Sequence, residues 1–317
     1  MDEAKANRQN VDDLPAICAD ESGMALLRAA GANDVHSVRQ LLEKGTNPNM
    51  YEKYGRKTPL ILAAEFGCYE VMNDLLEHRA SICQTDRWGN TPLHCAAAGG
   101  HLNCVKFLLQ HHSPLEVVNH RKCTPLMRAA IKGRTEIVRH LLDNNAIVSS
   151  QLNENKESAL TLGCGSGKVD LVKLLLERGS PVADRSAELN AALREAVLFG
   201  RVELVQILLN HGADANHSDD TNSPVIFLSI DSNKVSILDL LIAHGANIEQ
   251  LDGQDYTPLM KAAKTGKREM VAALLAAGAN PKVRRKVDRK TALSLARSQG
   301  HKEICKIILK AKVKKTS

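Results

Sequence analysis

Apolar positions recur along this chain on two scales. On the longer one a leucine or valine returns about every 33 residues, at Leu26, Leu60, Leu93, Leu126, Leu160, Leu193, Val225, Leu259 and Leu293. That period is too long for a single helix or strand. An aliphatic pair begins 15 residues after each anchor, at Leu41, Leu75, Leu108, Leu141, Leu175, Leu208, Leu274 and Ile308, with the seventh copy slipping by one residue to Leu241. On the shorter scale the spacing is helical: Leu93, Ala96 and Ala97 predict one short helix, and Val105, Leu108 and Leu109 a second. Self-similarity at this length predicts an all-α solenoid of about nine helix-turn-helix units, each hiding its apolar face only against its neighbours.

The local chemistry of each unit agrees. Several copies open on Thr-Pro-Leu, as at Thr58-Pro59-Leu60, Thr91-Pro92-Leu93, Thr124-Pro125-Leu126 and Thr257-Pro258-Leu259. A threonine hydroxyl caps a helix N-terminus, and proline at the next position lacks only an N–H that would have no partner there. Glycine follows at the turn in seven units (Gly67, Gly100, Gly133, Gly167, Gly200, Gly266, Gly300), and Asn33 takes its place in the first. After the second helix about a dozen polar, turn-rich residues are expected to project as a β-hairpin finger. The phrase decays to Ser158-Ala159-Leu160, Ala191-Ala192-Leu193 and Ser223-Pro224-Val225, and the seventh copy has no turn glycine, so units five to seven are expected to be the weakest stretch.

The phrase Thr91-Pro92-Leu93-His94-Cys95-Ala96-Ala97, the turn Gly100-His101, and Leu208-Leu209-Asn210-His211-Gly212-Ala213-Asp214 resemble the ankyrin repeat. The resemblance spans residues 22–311, leaving a polar segment at 1–21 and a basic tail at 312–317. It implies stacked helix pairs whose fingers and inner helices form a concave surface for other macromolecules, without naming a partner. The wording of Ser158–Gly167 and Thr257–Gly266 is similar to arrays of the large ankyrin-and-KH-domain scaffold proteins, although no KH segment follows within the 317 residues.

Aromatics make up only 3% of the chain, too few for one large globular core but sufficient for a stack closed by alanine and leucine. No segment approaches the roughly 18 apolar residues of a membrane span, and the polar start contains no hydrophobic signal region, which points to the cytoplasm and also to the nucleus. Eight cysteines without a C-x-x-C pair read as reduced, buried thiols. His94, Cys95, His101 and Cys104 crowd one unit, but adjacent helical side chains diverge too far to share a metal readily. Gly163-Cys164-Gly165-Ser166-Gly167-Lys168 has the wrong spacing for a phosphate loop. No nucleophile and base recur at catalytic spacing, so neither an enzyme, a cofactor nor a metal is expected, and a monomer is. The net charge of +6 is uneven: residues 261–317 carry +14 and residues 1–260 carry −8.

Partner contacts are expected where a residue type departs from the repeat without packing duty. On the fingers these are Tyr51, Tyr54, Trp88, His120, Arg121 and Tyr256; at the ends of inner helices they are Phe66, Ile131, Lys132, Leu198 and Phe199. Aromatic and arginine side chains are the commonest interface anchors. The expectation is a protein-interaction scaffold or adaptor. The alternative is anion binding, to RNA or an anionic lipid surface, through Lys282, Arg284, Arg285, Lys286, Arg289 and Lys290 together with the tail lysines Lys310, Lys312, Lys314 and Lys315.

Overall fold

The computed structural model describes residues 18–148, 152–179 and 185–314, with side chains to residue 311. The segment 1–17 and the side chains of Lys312, Lys314 and Lys315 lie outside the described residues. Two compact units divide at Pro181–Val182. The first contains five helix pairs: α1 (Glu21–Gly31) with α2 (Val35–Glu43), α3 (Pro59–Phe66) with α4 (Tyr69–Glu77), α5 (Pro92–Gly99) with α6 (Leu102–Gln110), α7 (Pro125–Ile131) with α8 (Thr135–Asp143), and α9 (Ala159–Ser166) with α10 (Val169–Arg178). The second contains four: α11 (Arg185–Leu198) with α12 (Val202–Asn210), α13 (Val225–Asp231) with α14 (Val235–Ala243), α15 (Pro258–Lys264) with α16 (Arg268–Ala276), and α17 (Ala292–Ser298) with α18 (Lys302–Lys314). Within each unit, inner helices pack on inner helices and outer on outer. None of the described helices is long and apolar enough to cross a membrane.

The repeat phrase performs the local work expected of it. Thr58, Thr91, Thr124 and Thr257 accept the backbone N–H three residues on, at 3.2–3.4 Å, with proline in the first turn of each helix. The turn glycines all adopt left-handed backbone, and Asn33 and Asn233 do the same at φ 57° and 54°. The unit without glycine therefore keeps its turn geometry, because asparagine is among the residues that tolerate this region best. Every anchor is buried, as are the alanine pairs Ala63–Ala64, Ala96–Ala97, Ala129–Ala130 and Ala262–Ala263 against which the next inner helix lies. Burial of one such leucine stabilises the stack by about 1.5–3 kcal/mol. Leu41 alone among the second aliphatic positions is half-buried, with Leu42 turned inward in its place. It lies in the first described pair, where no earlier described helix covers it.

Three expectations change. The fingers are not β-hairpins: among the described residues only isolated bridges form, Cys18 with Tyr51 and Ser218 with Pro224. An Asp or Asn closes most fingers instead. Asp86, Asn119, Asn153, Asp219 and Asp252 each accept from the backbone N–H two and four residues on. A five-residue loop closed in this way leaves too little stem for a ladder. Unit five keeps its cap, because Ser158 accepts from Thr161 N at 3.3 Å. In unit six the inner helix begins at Arg185, six residues before Ala191, since no glycine or proline interrupts residues 185–198. Of the three units in which the phrase decays, the fifth keeps a side-chain cap and the seventh has none, at Pro224.

Ala159 and Ala192 occupy the same place in the repeat phrase but different places in their helices. Ala159→Pro falls in the first turn, after an extended Ser158, and is expected to be neutral or stabilising by up to about 1 kcal/mol. Ala192→Pro falls in the interior of α11 and is expected to destabilise by about 3 kcal/mol or more. Urea unfolding of the two variants beside the parent checks both signs.

Candidate functional site

The fingers of the first unit are tied to one another rung by rung. Arg87 N donates to Gly55 O at 2.8 Å, His120 N to Trp88 O at 3.0 Å and Glu154 N to Arg121 O at 3.0 Å. Side chains continue the ladder beneath: Asn119 Nδ2 donates to Asn90 Oδ1 at 2.8 Å, and Asn90 Nδ2 to Asp86 Oδ2 at 2.9 Å. Gly89 permits the approach of the next finger at Trp88. It sits at φ 77°, and a Cβ there would lie 2.9 Å from the backbone nitrogen of His120.

His94 links the inner helix to this ladder. Its Nδ1 accepts from Thr91 N at 3.2 Å, which leaves Nε2 as the protonated nitrogen, donating to Cys123 O at 2.9 Å. Burial outweighs that favourable bond and depresses the imidazole to about 4. The neighbouring thiols are held neutral for the same reason, Cys95 pushed up to about 12 and Cys104 to about 11. His101 Nε2 donates to Glu65 O at 2.9 Å. Both imidazoles in this cluster thus make structural bonds to carbonyls.

Between fingers and inner helices lies a cavity of about 640 Å³. Trp88, His120 and Arg121 line it from the fingers, and Arg128 and Lys132 from α7; Lys57, Glu65 and Glu154 are also in its wall. A shallower hollow of about 560 Å³ at the finger tips includes Tyr54, Arg56, Arg87 and His120. Arg87 stacks over Trp88 at 5.6 Å and donates to Tyr54 O at 3.1 Å, so the two aromatics share a cationic neighbour. Tyr54 is 80% exposed and Trp88 50%.

Four of the sequence-predicted residues, Trp88, His120, Arg121 and Lys132, therefore meet in one cavity, and Tyr54 lies in the adjoining hollow. The others sit elsewhere. Tyr51 is half-buried beneath Arg56, 5.2 Å from its ring, and its carbonyl accepts from Ala19 N. Phe66 is exposed at the end of α3 near Gly31, and Ile131 is half-buried, neither of them in the cavity wall. Leu198 and Phe199 belong to the second unit, where they end the inner strip of the sixth repeat at 56% and 51% exposure. Tyr256 offers no contact surface: it is 6% exposed, covered by Arg285 at 4.0 Å and by Lys264, whose Nζ also donates to its hydroxyl at 3.0 Å.

Arg285 belongs to that packing. It donates to Asp288 at 2.9 Å and to Gln254 O at 3.0 Å, while Lys290 pairs with Asp288 at 3.4 Å. Lys282, Arg284, Lys286 and Arg289 stay exposed. Sequence reasoning missed Arg128, Lys57, Glu65 and the finger-closing Asp86 and Asn119. The last two had a signal, an Asp or Asn recurring at about the 33-residue period; Arg128 had none beyond its polar place on an otherwise apolar inner helix.

The family model described as "Ankyrin repeats (3 copies)" matches residues 5–86, 80–151, 147–219 and 222–317. Among curated proteins, "Potassium channel GORK" of Arabidopsis thaliana is 39% identical over 70 residues, 22% of this chain and 8% of that protein. "Potassium channel KOR2" of Oryza sativa subsp. japonica is 36% identical over 72 residues, 23% of this chain and 10% of that one. The chain thus spans about a tenth of the length of these relatives. Among solved structures, the crystal structure of the human ASB11 ankyrin repeat domain aligns at 26% identity with a TM-score of 0.63, covering 71% of this chain and all of that one.

The buried imidazole sets a pH dependence. His94 is neutral when folded down to about pH 4, whereas an unfolded histidine protonates near 6.5. Unfolding therefore takes up a proton between these values, and stability falls as pH drops from about 6.5 to about 4, by on the order of 3 kcal/mol. His94→Gln is expected to flatten that slope in urea unfolding measured across the interval.

Proposed function

The chain belongs to the ankyrin-repeat family, and from that premise we propose that it is a non-enzymatic scaffold or adaptor that docks a segment of another protein on the concave side of its first unit. One observation carries this reading: four residues singled out by type alone converge on a single cavity, on a framework already cross-linked by hydrogen bonds. A preformed concavity spares the binder an ordering cost, and a half-exposed tryptophan beside arginine is the composition of an interface anchor. Cytoplasmic or nuclear residence fits a chain in which five of the eight cysteines are buried. A monomer is sufficient for this function, since the cavity is built from one chain.

A second reading is favoured by the last finger of the second unit. Lys282, Arg284, Lys286 and Arg289 make no ion pair among the described residues, because Asp288 is taken by Arg285 and Lys290. Such a patch attracts an anionic surface or polyanion.

Two measurements separate the readings. Trp88→Ala and Tyr54→Ala are each expected to weaken binding of a partner recovered by proximity labelling, by about 1–3 kcal/mol in calorimetry, with little change in melting temperature. Unchanged affinity in both variants would remove the site. For the basic finger, replacing Lys282, Arg284, Lys286 and Arg289 with Gln, and sparing Arg285, is expected to weaken binding to phosphatidylserine vesicles or oligouridine. It should also lower the salt dependence of that binding. Wild-type behaviour in both assays would leave the patch a solvated cap.

A further inference from the structure

We propose that the occupant of the first unit's groove is an extended, acidic segment of another protein, with a carboxylate on Arg128 and Lys132 and a neighbouring apolar side chain against Trp88. The inference rests on the reading of this groove as the docking face and names the chemistry of what docks there.

The charges of the wall carry it. All three carboxylates are engaged within the protein: Glu65 with Lys57 at 2.5 Å, Glu154 with Arg121 at 3.6 Å, and Asp86 by Trp88 N and Asn90 N at 2.8 Å and by Asn90 Nδ2 at 2.9 Å. Arg128 and Lys132 make no ion pair among the described residues, and the buried Arg128 Nε has no hydrogen-bond partner. The two cations stand four residues apart, Arg128 within α7 and Lys132 as the residue that caps its C-terminus, and both line the cavity. A cation at a helix C-terminus is favourable, which accounts for a lysine there. It does not account for Arg128, which makes no ion pair among the described residues although three carboxylates line the same cavity, whereas Arg285, whose Nε is also buried without a partner, is paired with Asp288. A carboxylate satisfies the planar guanidinium fork and the ammonium together. Residues 1–260 carry −8 overall, so this cationic wall is set in an acidic-leaning part of the chain.

The shape favours an extended peptide. The wall draws on four consecutive repeats, from Lys57 to Glu154. Helices packed 8–10 Å apart make that a path of about 25–30 Å, or about eight residues at the rise of an extended chain. A nucleic acid fits less well, because the wall has one aromatic platform for stacking successive bases.

Trp88 is the only tryptophan of the chain, so its fluorescence reports occupancy of the groove. The test selects a randomised nonapeptide phage library on the whole 317-residue chain, then titrates synthetic consensus nonapeptides against Trp88 emission. The expected consensus places Asp or Glu beside a leucine or aromatic residue. Arg128→Gln is expected to weaken the consensus peptide at least tenfold, Asp/Glu-to-Asn/Gln replacement in the peptide to do the same, and Lys106→Gln on the outer helix α6 to change nothing. Lys132→Glu, at an exposed position, provides the same test should Arg128→Gln lower the melting temperature. A consensus without acids, or acid enrichment that persists on the Arg128→Gln/Lys132→Gln variant, overturns the inference and leaves the groove reading standing. Peptides that bind Trp88→Ala as tightly as the parent overturn the groove reading itself. Displacement of the peptide by oligouridine at a comparable concentration overturns the choice of a protein segment.

Discussion

A helix pair of about 33 residues is too small to enclose its own leucines, and the rest of the structure follows from that shortage. The anchor leucine and the aliphatic pair 15 residues later can leave water only if the next pair arrives in register. Register requires a fixed start, provided by the Thr-Pro cap, and a fixed reversal, provided by left-handed backbone at the turn. Close approach requires small side chains where inner helices meet, hence the fully buried alanine pairs. The same packing leaves the fingers without a core, so they are held by hydrogen bonds: an Asp or Asn closing most of the loops, and in the first unit a backbone bond passing from one finger to the next.

That division of labour explains why the candidate site is where it is. Residues committed to the apolar stack cannot vary without opening a cavity, at about 2–5 kcal/mol for a leucine truncated to alanine. Finger and inner-helix residues facing the concavity are free of that penalty. Trp88 is mounted on a loop whose carbonyl is bonded to the next finger and whose base is closed by Asp86, so an exposed aromatic is presented at a defined position. Glu65 and Glu154 meanwhile tie up Lys57 and Arg121, leaving the α7 cations as the uncompensated charge of the wall.

What the sequence disclosed and what it withheld divide along the same line. The period, the caps and the turns are local, and a residue that performs a local task announces it by type. Trp88, Tyr54, His120, Arg121 and Lys132 were legible as departures from the repeat. Tyr256 was not, because its finger position says nothing about the Arg285 and Lys264 side chains that close over it. The early start of α11 was hidden in the same way: the missing Thr-Pro at Ala191-Ala192 looks like a lost cap, whereas the uninterrupted run from Arg185 simply extends the helix. The left-handed Asn233 shows that a turn without glycine keeps the same backbone geometry.

Arg285 and Arg128 show how two arginines in comparable repeats acquire different meanings. Arg285 sits in the most basic stretch of the chain, yet it is covered, paired with Asp288, bonded to Gln254 O and stacked on Tyr256. Its charge is spent on holding the last finger to the preceding one. Arg128 sits in an acidic-leaning stretch, yet it makes no ion pair among the described residues although three carboxylates line the same cavity; the Nε of both arginines is buried without an acceptor, so the pairing of the charge is what separates them. Each of those carboxylates is held by a nearer donor: Lys57 on Glu65, Arg121 on Glu154, and the backbone of its own finger on Asp86. Net charge along the sequence does not reveal this difference. Local pairing, which depends on which finger lies over which helix, decides which cations keep their charge uncompensated.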